Sequence, residues 1–239
     1  MNASTAGACM IGWAMTPATM CAPFAELKRT LEEIAAAGID AVEVPIDATA
    51  TDSVPALRDA AERLGLTLSA RMSGTRFDLS PQQAFDIARD LGCSLLVADA
   101  LAARDHDRWH DASQEAGVTL VLDAAGLDGC GASVGLRPKV WVELGVTSEA
   151  RRSGSALLRA AGERLGCVRL VPADDEAGGA SSRLEREWAV ALAACAYAGP
   201  IICSGGAQLR APSGELTAAR RLLRWTEKIE WELSFGMQG

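Results

Sequence analysis

One junction recurs along this chain and limits what it can fold into. A charged, Ala/Leu-rich stretch meets a glycine, and an apolar run follows. It appears as "AAAGIDAVEVP" at Gly38, "ERLGLTLSA" at Gly65, "RDLGCSLLVAD" at Gly92, "QEAGVTLVLD" at Gly117, "ERLGCVRLV" at Gly166 and "AYAGPIICS" at Gly199. The stretches before the glycines, such as "FAELKRTLEEIAAAG" and "PQQAFDIARDLG", carry apolar residues at i, i+3, i+4 spacing and read as amphipathic helices. Glycine enters the left-handed conformation at a helix C-terminus with the least strain, so each is read as a helix stop. The four to six residues after each stop, often β-branched, read as strands.

Successive stops are 27, 27, 25, 49 and 33 residues apart, and the interval of 49 holds a further strand, "PKVWVELGV". With a first strand in "ACMIGWAM", eight strands are predicted near 8–14, 39–46, 66–71, 94–99, 118–123, 139–145, 167–172 and 200–204. Eight βα units of about 25 residues predict an α/β fold, a single (β/α)8 TIM barrel spanning residues 1–239 as one domain. The competing doubly wound sheet calls for a glycine-rich dinucleotide turn after an early strand, which is absent. Between strands five and six, "AAGLDGCGASVGLRP" has four glycines and little helical pattern, so the fifth helix is expected to be reduced. The last helix, "SGELTAARRLLRWTEKIEWELS", closes the barrel, its Trp225 and Trp231 packing or meeting a second subunit.

A formal net charge of −8 argues against nucleic acid or an anionic membrane as partner, leaving a small-molecule substrate, with a homo-oligomer compatible. The seven cysteines are scattered without a CxxC pair, which reads as reduced thiols in a cytoplasmic protein. The start, "MNASTAGACMIGWAM", lacks the basic region of a signal peptide, and no apolar run is long enough to span a bilayer.

In this fold the working residues lie at the C-terminal ends of the strands. Alternation along each strand sorts inward from outward side chains. In "LTLSAR", Leu66, Leu68 and Ala70 suit the helix side and Thr67, Ser69 and Arg71 face in; "VTLVLD" turns Thr119, Val121 and Asp123 inward. "VWVELG" turns Trp141, Glu143 and Gly145 inward, and "DAVEVP" does so for Ala41, Glu43 and Pro45. Four strands thus each deliver a charge, Glu43, Arg71, Asp123 and Glu143, with Asp99 a fifth. Burying charge is costly unless it is paired, so the cluster is either an internal salt-bridge network or an active site. As an active site, crowded carboxylates supply an acid and a base, and Arg71 binds a substrate carboxylate or phosphate, or polarises a carbonyl. Asp99, Trp13 and Trp141 are candidate substrate contacts.

His106 and His110 stand four apart on one helix, expected to start near Asp105 or Asp107; His106 is a candidate acid or base, and neither has the HExxH context of a metal pair. Ser204, Gly205 and Gly206, after strand eight, are candidate substrate-binding residues whose backbone N–H groups could cradle phosphate, although Asp174 and Asp175 nearby would repel an anion.

"FAELKRTLEEIAAAGIDAVEVP", followed by "LRDAAERLGLTLSA", resembles the xylose-isomerase-like barrel superfamily over about residues 22–123. That superfamily includes sugar and sugar-phosphate isomerases and epimerases, inosose and dehydroshikimate dehydratases, and endonuclease IV. The resemblance implies a divalent metal held by Glu, Asp, His and Glu ending strands five to eight. This chain departs from that set: Asp123 stands at the first position, Gly145 at the second with Glu143 two residues earlier, no histidine lies in "CVRLVPAD", and Ser204 occupies the last. A site of Asp123, Glu143 and Asp174 could hold Mg or Mn through oxygen ligands. The simpler expectation is no metal and no cofactor. The expected function is a divergent isomerase, epimerase or dehydratase that moves a proton next to a carbonyl on a small sugar-like or carboxylated metabolite, using Glu43, Asp123, Glu143, Arg71 and His106. The rivals are a non-catalytic binding or scaffold relative, and a phosphosugar enzyme using the Ser204–Gly206 loop.

Overall fold

The helix-stop motif is present at four of the six glycines. In the computed structural model Gly38, Gly65, Gly92 and Gly117 have φ of 69°, 70°, 76° and 67°. After each, the next N–H returns to a carbonyl five residues back: Ile39 to Ile34, Leu66 to Ala61, Cys93 to Ala88 and Val118 to Ser113, at 2.9–3.4 Å. The structure describes residues 10–72, 79–98, 105–123, 139–144, 148–170, 180–203 and 214–236.

The elements run β1 (Met10–Ala14), α1 (Pro17–Met20), α2 (Phe24–Ala36), β2 (Ala41–Pro45), α3 (Val54–Leu64), β3 (Thr67–Met72), α4 (Pro81–Asp90), β4 (Leu95–Ala98), α5 (His106–Ala116), β5 (Thr119–Asp123), β6 (Lys139–Leu144), α6 (Ser148–Ala161), β7 (Leu165–Leu170), α7 (Ala180–Ala194), β8 (Pro200–Cys203) and α8 (Gly214–Gly236). The strands form a closed barrel in chain order, β1 to β8, as the repeat predicts. The reduced fifth helix was expected in residues 124–138, which lie outside the described residues. None of the described helices is long and apolar enough to cross a membrane.

The last two glycines act otherwise than the sequence suggests. Gly166 lies inside β7, and α6 ends earlier, at Ala161, with Gly162 at φ 52° opening a short 3-10 turn. After α7 the left-handed residue is Ala196, at φ 47°, and Tyr197 N–H returns to Leu192 O at 3.2 Å. Gly199 is instead a steric requirement, since a Cβ there would lie 2.7 Å from the Tyr197 ring and hydroxyl. The ring is pinned because its hydroxyl donates to Pro200 O at 2.6 Å.

Contacts sort the chain into two compact units, Gly12–Trp141, and Met1–Ile11 with Val142–Gly239. In the first, Leu27, Leu31 and Ile34 form the buried stripe of α2, and Leu57, Ala60 and Ala61 that of α3. A reciprocal capping box between Ser80 and Gln83, with Pro81 next in line, starts α4. Asp105 stands at the N-cap of α5, where the sequence puts it, but its side chain makes no capping hydrogen bond. In the second unit α7 and α8 are clamped by Arg221, whose Nε and Nη2 each donate to the buried Glu185 carboxylate at 2.8 Å. Trp225 packs under Arg186 and Lys228, while Trp231 is 61% exposed.

Candidate active site

Register partners in a parallel pair point to the same side, so the pairing of β1 to β6 sorts their faces. One face carries Ile11, Trp13, Val42, Val44, Leu68, Ala70, Leu96, Leu120, Leu122 and Val140, all apolar and buried, as suits packing against helices. Trp13 pairs in register with Val42 and so shares that face rather than the face of Glu43. The other face carries Gly12, Ala14, Ala41, Glu43, Thr67, Ser69 and Arg71 from β1 to β3. Barrel interiors are usually filled by bulky branched side chains. Here the inward residues beside Glu43 are small.

Two rows organise this face. Ala14, Glu43 and Ser69 are register partners and form the first; Pro45, Arg71, Val97 and Val121 form the next, one step nearer the C-terminal ends of the strands. Glu43 is 1% exposed, and its Oε1 lies 3.6 Å from Nη1 of Arg71, whose side chain is 23% exposed. The contact is diagonal across the β2–β3 pair, which a long side chain can span. A carboxylate sealed in the barrel is thus paired with a guanidinium on a partly exposed side chain. Ser69, 5% exposed, sits level with Glu43, and its Oγ has no hydrogen-bond partner among the described residues.

The remaining candidates are placed less completely. Asp123 ends β5 in register with the buried Trp141, but only its backbone is described. The same holds for His106 at the start of α5. Glu143 is exposed near the C-terminal end of β6, in the second unit. Asp99, Asp174, Asp175, Ser204, Gly205 and Gly206 lie outside the described residues. Two residues outside the sequence-based site are prominent here. Ser69 has the inward parity of Arg71 but looks like an ordinary strand serine until its burial is known. Arg169 is buried in β7, in register with Ile202; its only signal is a lone charge alternating with Val168 and Leu170.

No family model matches the sequence, and no curated protein matches it. Solved structures do match. An L-ribulose 3-epimerase aligns with a TM-score of 0.63 at 14% identity, over 96% of this chain and 95% of that one. A 3-keto-D-glucoside 4-epimerase from E. coli aligns with a TM-score of 0.62 at 12% identity, over 92% and 99%. A xylose isomerase-like TIM barrel protein from Mycobacterium smegmatis, in complex with magnesium, aligns with a TM-score of 0.62 at 15% identity, over 92% and 97%. The chain shares the closed TIM-barrel fold of these proteins.

The structural likeness raises the question of a metal, and the residues at the four positions implied by the resemblance depart from the Glu, Asp, His and Glu set. Of the four expected positions, Gly145 offers no side-chain ligand and Ser204 replaces a carboxylate. The strand expected to supply histidine has none, and carries a buried arginine, Arg169. Among the described residues no three His, Cys, Asp or Glu side chains gather where a metal could be held.

Proposed function

We propose that this protein is a metal-independent isomerase, epimerase or dehydratase that moves a proton next to a carbonyl on a small sugar-like or carboxylated metabolite. The observation carrying this reading is the Glu43–Arg71 pair: a carboxylate 1% exposed, joined at 3.6 Å to a guanidinium that reaches solvent, on the small-residue face of a barrel. Glu43, Asp123 and Glu143 are the candidates for removing and returning the proton, and Arg71 holds the developing oxyanion or an acidic substituent. His106 is a further acid or base, and Asp99, Trp141 and the Ser204–Gly206 segment are further substrate contacts. The sugar epimerases among the structural neighbours support the reaction class, and the missing metal ligands support charge stabilisation by guanidinium.

Proton exchange gives a direct test. The chelator-treated protein is incubated in D2O with a panel of ketoses, aldonates and keto acids, and deuterium uptake at carbons next to a carbonyl is followed by NMR. Uptake with at least one substrate is expected to survive chelation and to fall about 100-fold or more in Glu43→Gln. Uptake that chelation abolishes and added Mg or Mn restores would overturn the metal-independent mechanism; full uptake in Glu43→Gln would remove Glu43 from it.

A further inference from the structure

Ser69 carries a buried hydroxyl that has no partner among the described residues. Native structures rarely leave such a group unsatisfied, and where they do a water or a ligand usually supplies the missing bond. Its register partner is Glu43, whose Oε1 draws Nη1 of Arg71 to 3.6 Å, so the guanidinium leans back over the row that holds Ser69. Ala14 in that row, and Gly12 and Ala41 in the row beside it, keep side-chain volume low on the same face. Exposure rises from Ser69, at 5%, to the Arg71 side chain, at 23%, so the arginine lies nearer the entrance and the serine deeper.

Resting on the reading of this face as the active site, we infer that Ser69 is a specificity-determining residue that binds a substrate hydroxyl, and that the substrate is a hydroxy acid of the sugar-acid class. The carboxylate docks on the solvent-facing side of Arg71, a donor fork suited to carboxylate geometry. The carbon beside it then hangs over the Glu43–Ser69 row, with its hydroxyl against Ser69 Oγ. A serine hydroxyl both donates and accepts, so it can serve a substrate hydroxyl in either orientation. Glu43 lies next to the same carbon, which ties recognition of the hydroxyl to the position of the proton to be moved.

The test is a binding comparison that does not depend on turnover. Short-chain aldonates in both enantiomers, their 2-deoxy and 3-deoxy counterparts and the matching neutral sugars are titrated calorimetrically into the wild type, Ser69→Ala and Arg71→Lys. At least one aldonate is expected to bind more tightly than its neutral sugar, and Arg71→Lys to narrow that preference. Ser69→Ala is expected to weaken the hydroxylated acid about tenfold while leaving one deoxy acid unchanged, the size of a single neutral hydrogen bond. Ser69→Ala removes only an unsatisfied hydroxyl and should fold as well as the wild type. Neutral sugars binding as tightly as acids, no acid binding at all, or Ser69→Ala weakening every acid alike would each overturn the inference. Acid binding with the expected Ser69 pattern but no deuterium uptake would sustain this subsite and sink the proposed reaction; uptake on neutral sugars without acid preference would do the reverse.

Discussion

Removing either member of the Glu43–Arg71 pair should destabilise the protein by different amounts, and the asymmetry follows from burial. Two unit charges 3.6 Å apart attract by roughly 4–5 kcal/mol at an effective dielectric constant of about 20, before desolvation is subtracted. In Arg71→Met the Glu43 carboxylate, at 1% exposure, stays in the barrel without the guanidinium and with little access to water, an expected loss of about 3 kcal/mol. In Glu43→Gln an amide of the same size replaces the carboxylate, and Arg71, already 23% exposed, can turn its charge to solvent, so the expected loss is only about 1 kcal/mol. The double variant keeps neither charge and should lose about 1–2 kcal/mol, leaving a coupling of about 2–3 kcal/mol between the two positions. Urea unfolding at pH 7, read as a shift in midpoint at constant slope, gives all four values. Equal losses in the two single variants, or additivity to within about 0.5 kcal/mol, would refute the view that a sealed carboxylate depends on a half-wet guanidinium.

Three further outcomes follow from the backbone and the cysteines. Ala196 bears the left-handed conformation that glycine takes elsewhere, so Ala196→Gly should stabilise by about 0.5–1 kcal/mol, whereas Gly65→Ala, where φ is 70° and no atom lies within 4 Å of the new Cβ, should cost about 1 kcal/mol from conformation alone; midpoints moving the other way would contradict the helix-stop assignment. Gly199→Ala puts a methyl group 2.7 Å from the Tyr197 ring and should cost about 1–3 kcal/mol in thermal or urea unfolding, and an unchanged midpoint would show that the ring moves freely. Burial pushes the Cys93 thiol up to about 12 from an ordinary value of 9.0, so the stability it contributes is fully present below pH 9 and is lost as pH rises from 9 through 12. Cys93→Ala should flatten that alkaline decline, and a thiol reagent at pH 9 should modify the exposed Cys21 well before Cys93; equal labelling rates would count against the burial.

What the sequence determined by itself is what local chemistry decides. A glycine that must adopt positive φ, an amphipathic stripe before it and a short apolar run after it are properties of neighbouring residues, and their recurrence at intervals that fit eight βα units leaves few architectures besides a closed barrel. Strand alternation is equally local, so the inward parity of Glu43, Ser69 and Arg71 could be read before any coordinates. Local signals misled where two contexts share one spelling. "ERLG" ends a helix at Gly65 but runs into a strand at Gly166, and after α7 the left-handed residue is Ala196, where residue preference points to a glycine. Trp13 was likewise ambiguous, since an aromatic residue in a strand suits a site as well as a core, and only its pairing with Val42 turned it outward. The depth of Glu43, the lean of Arg71 towards it, the burial of the Ser69 hydroxyl and the buried Arg169 came from the tertiary structure alone. Burial and charge pairing depend on side chains brought together from distant parts of the chain, and no window of sequence contains both partners.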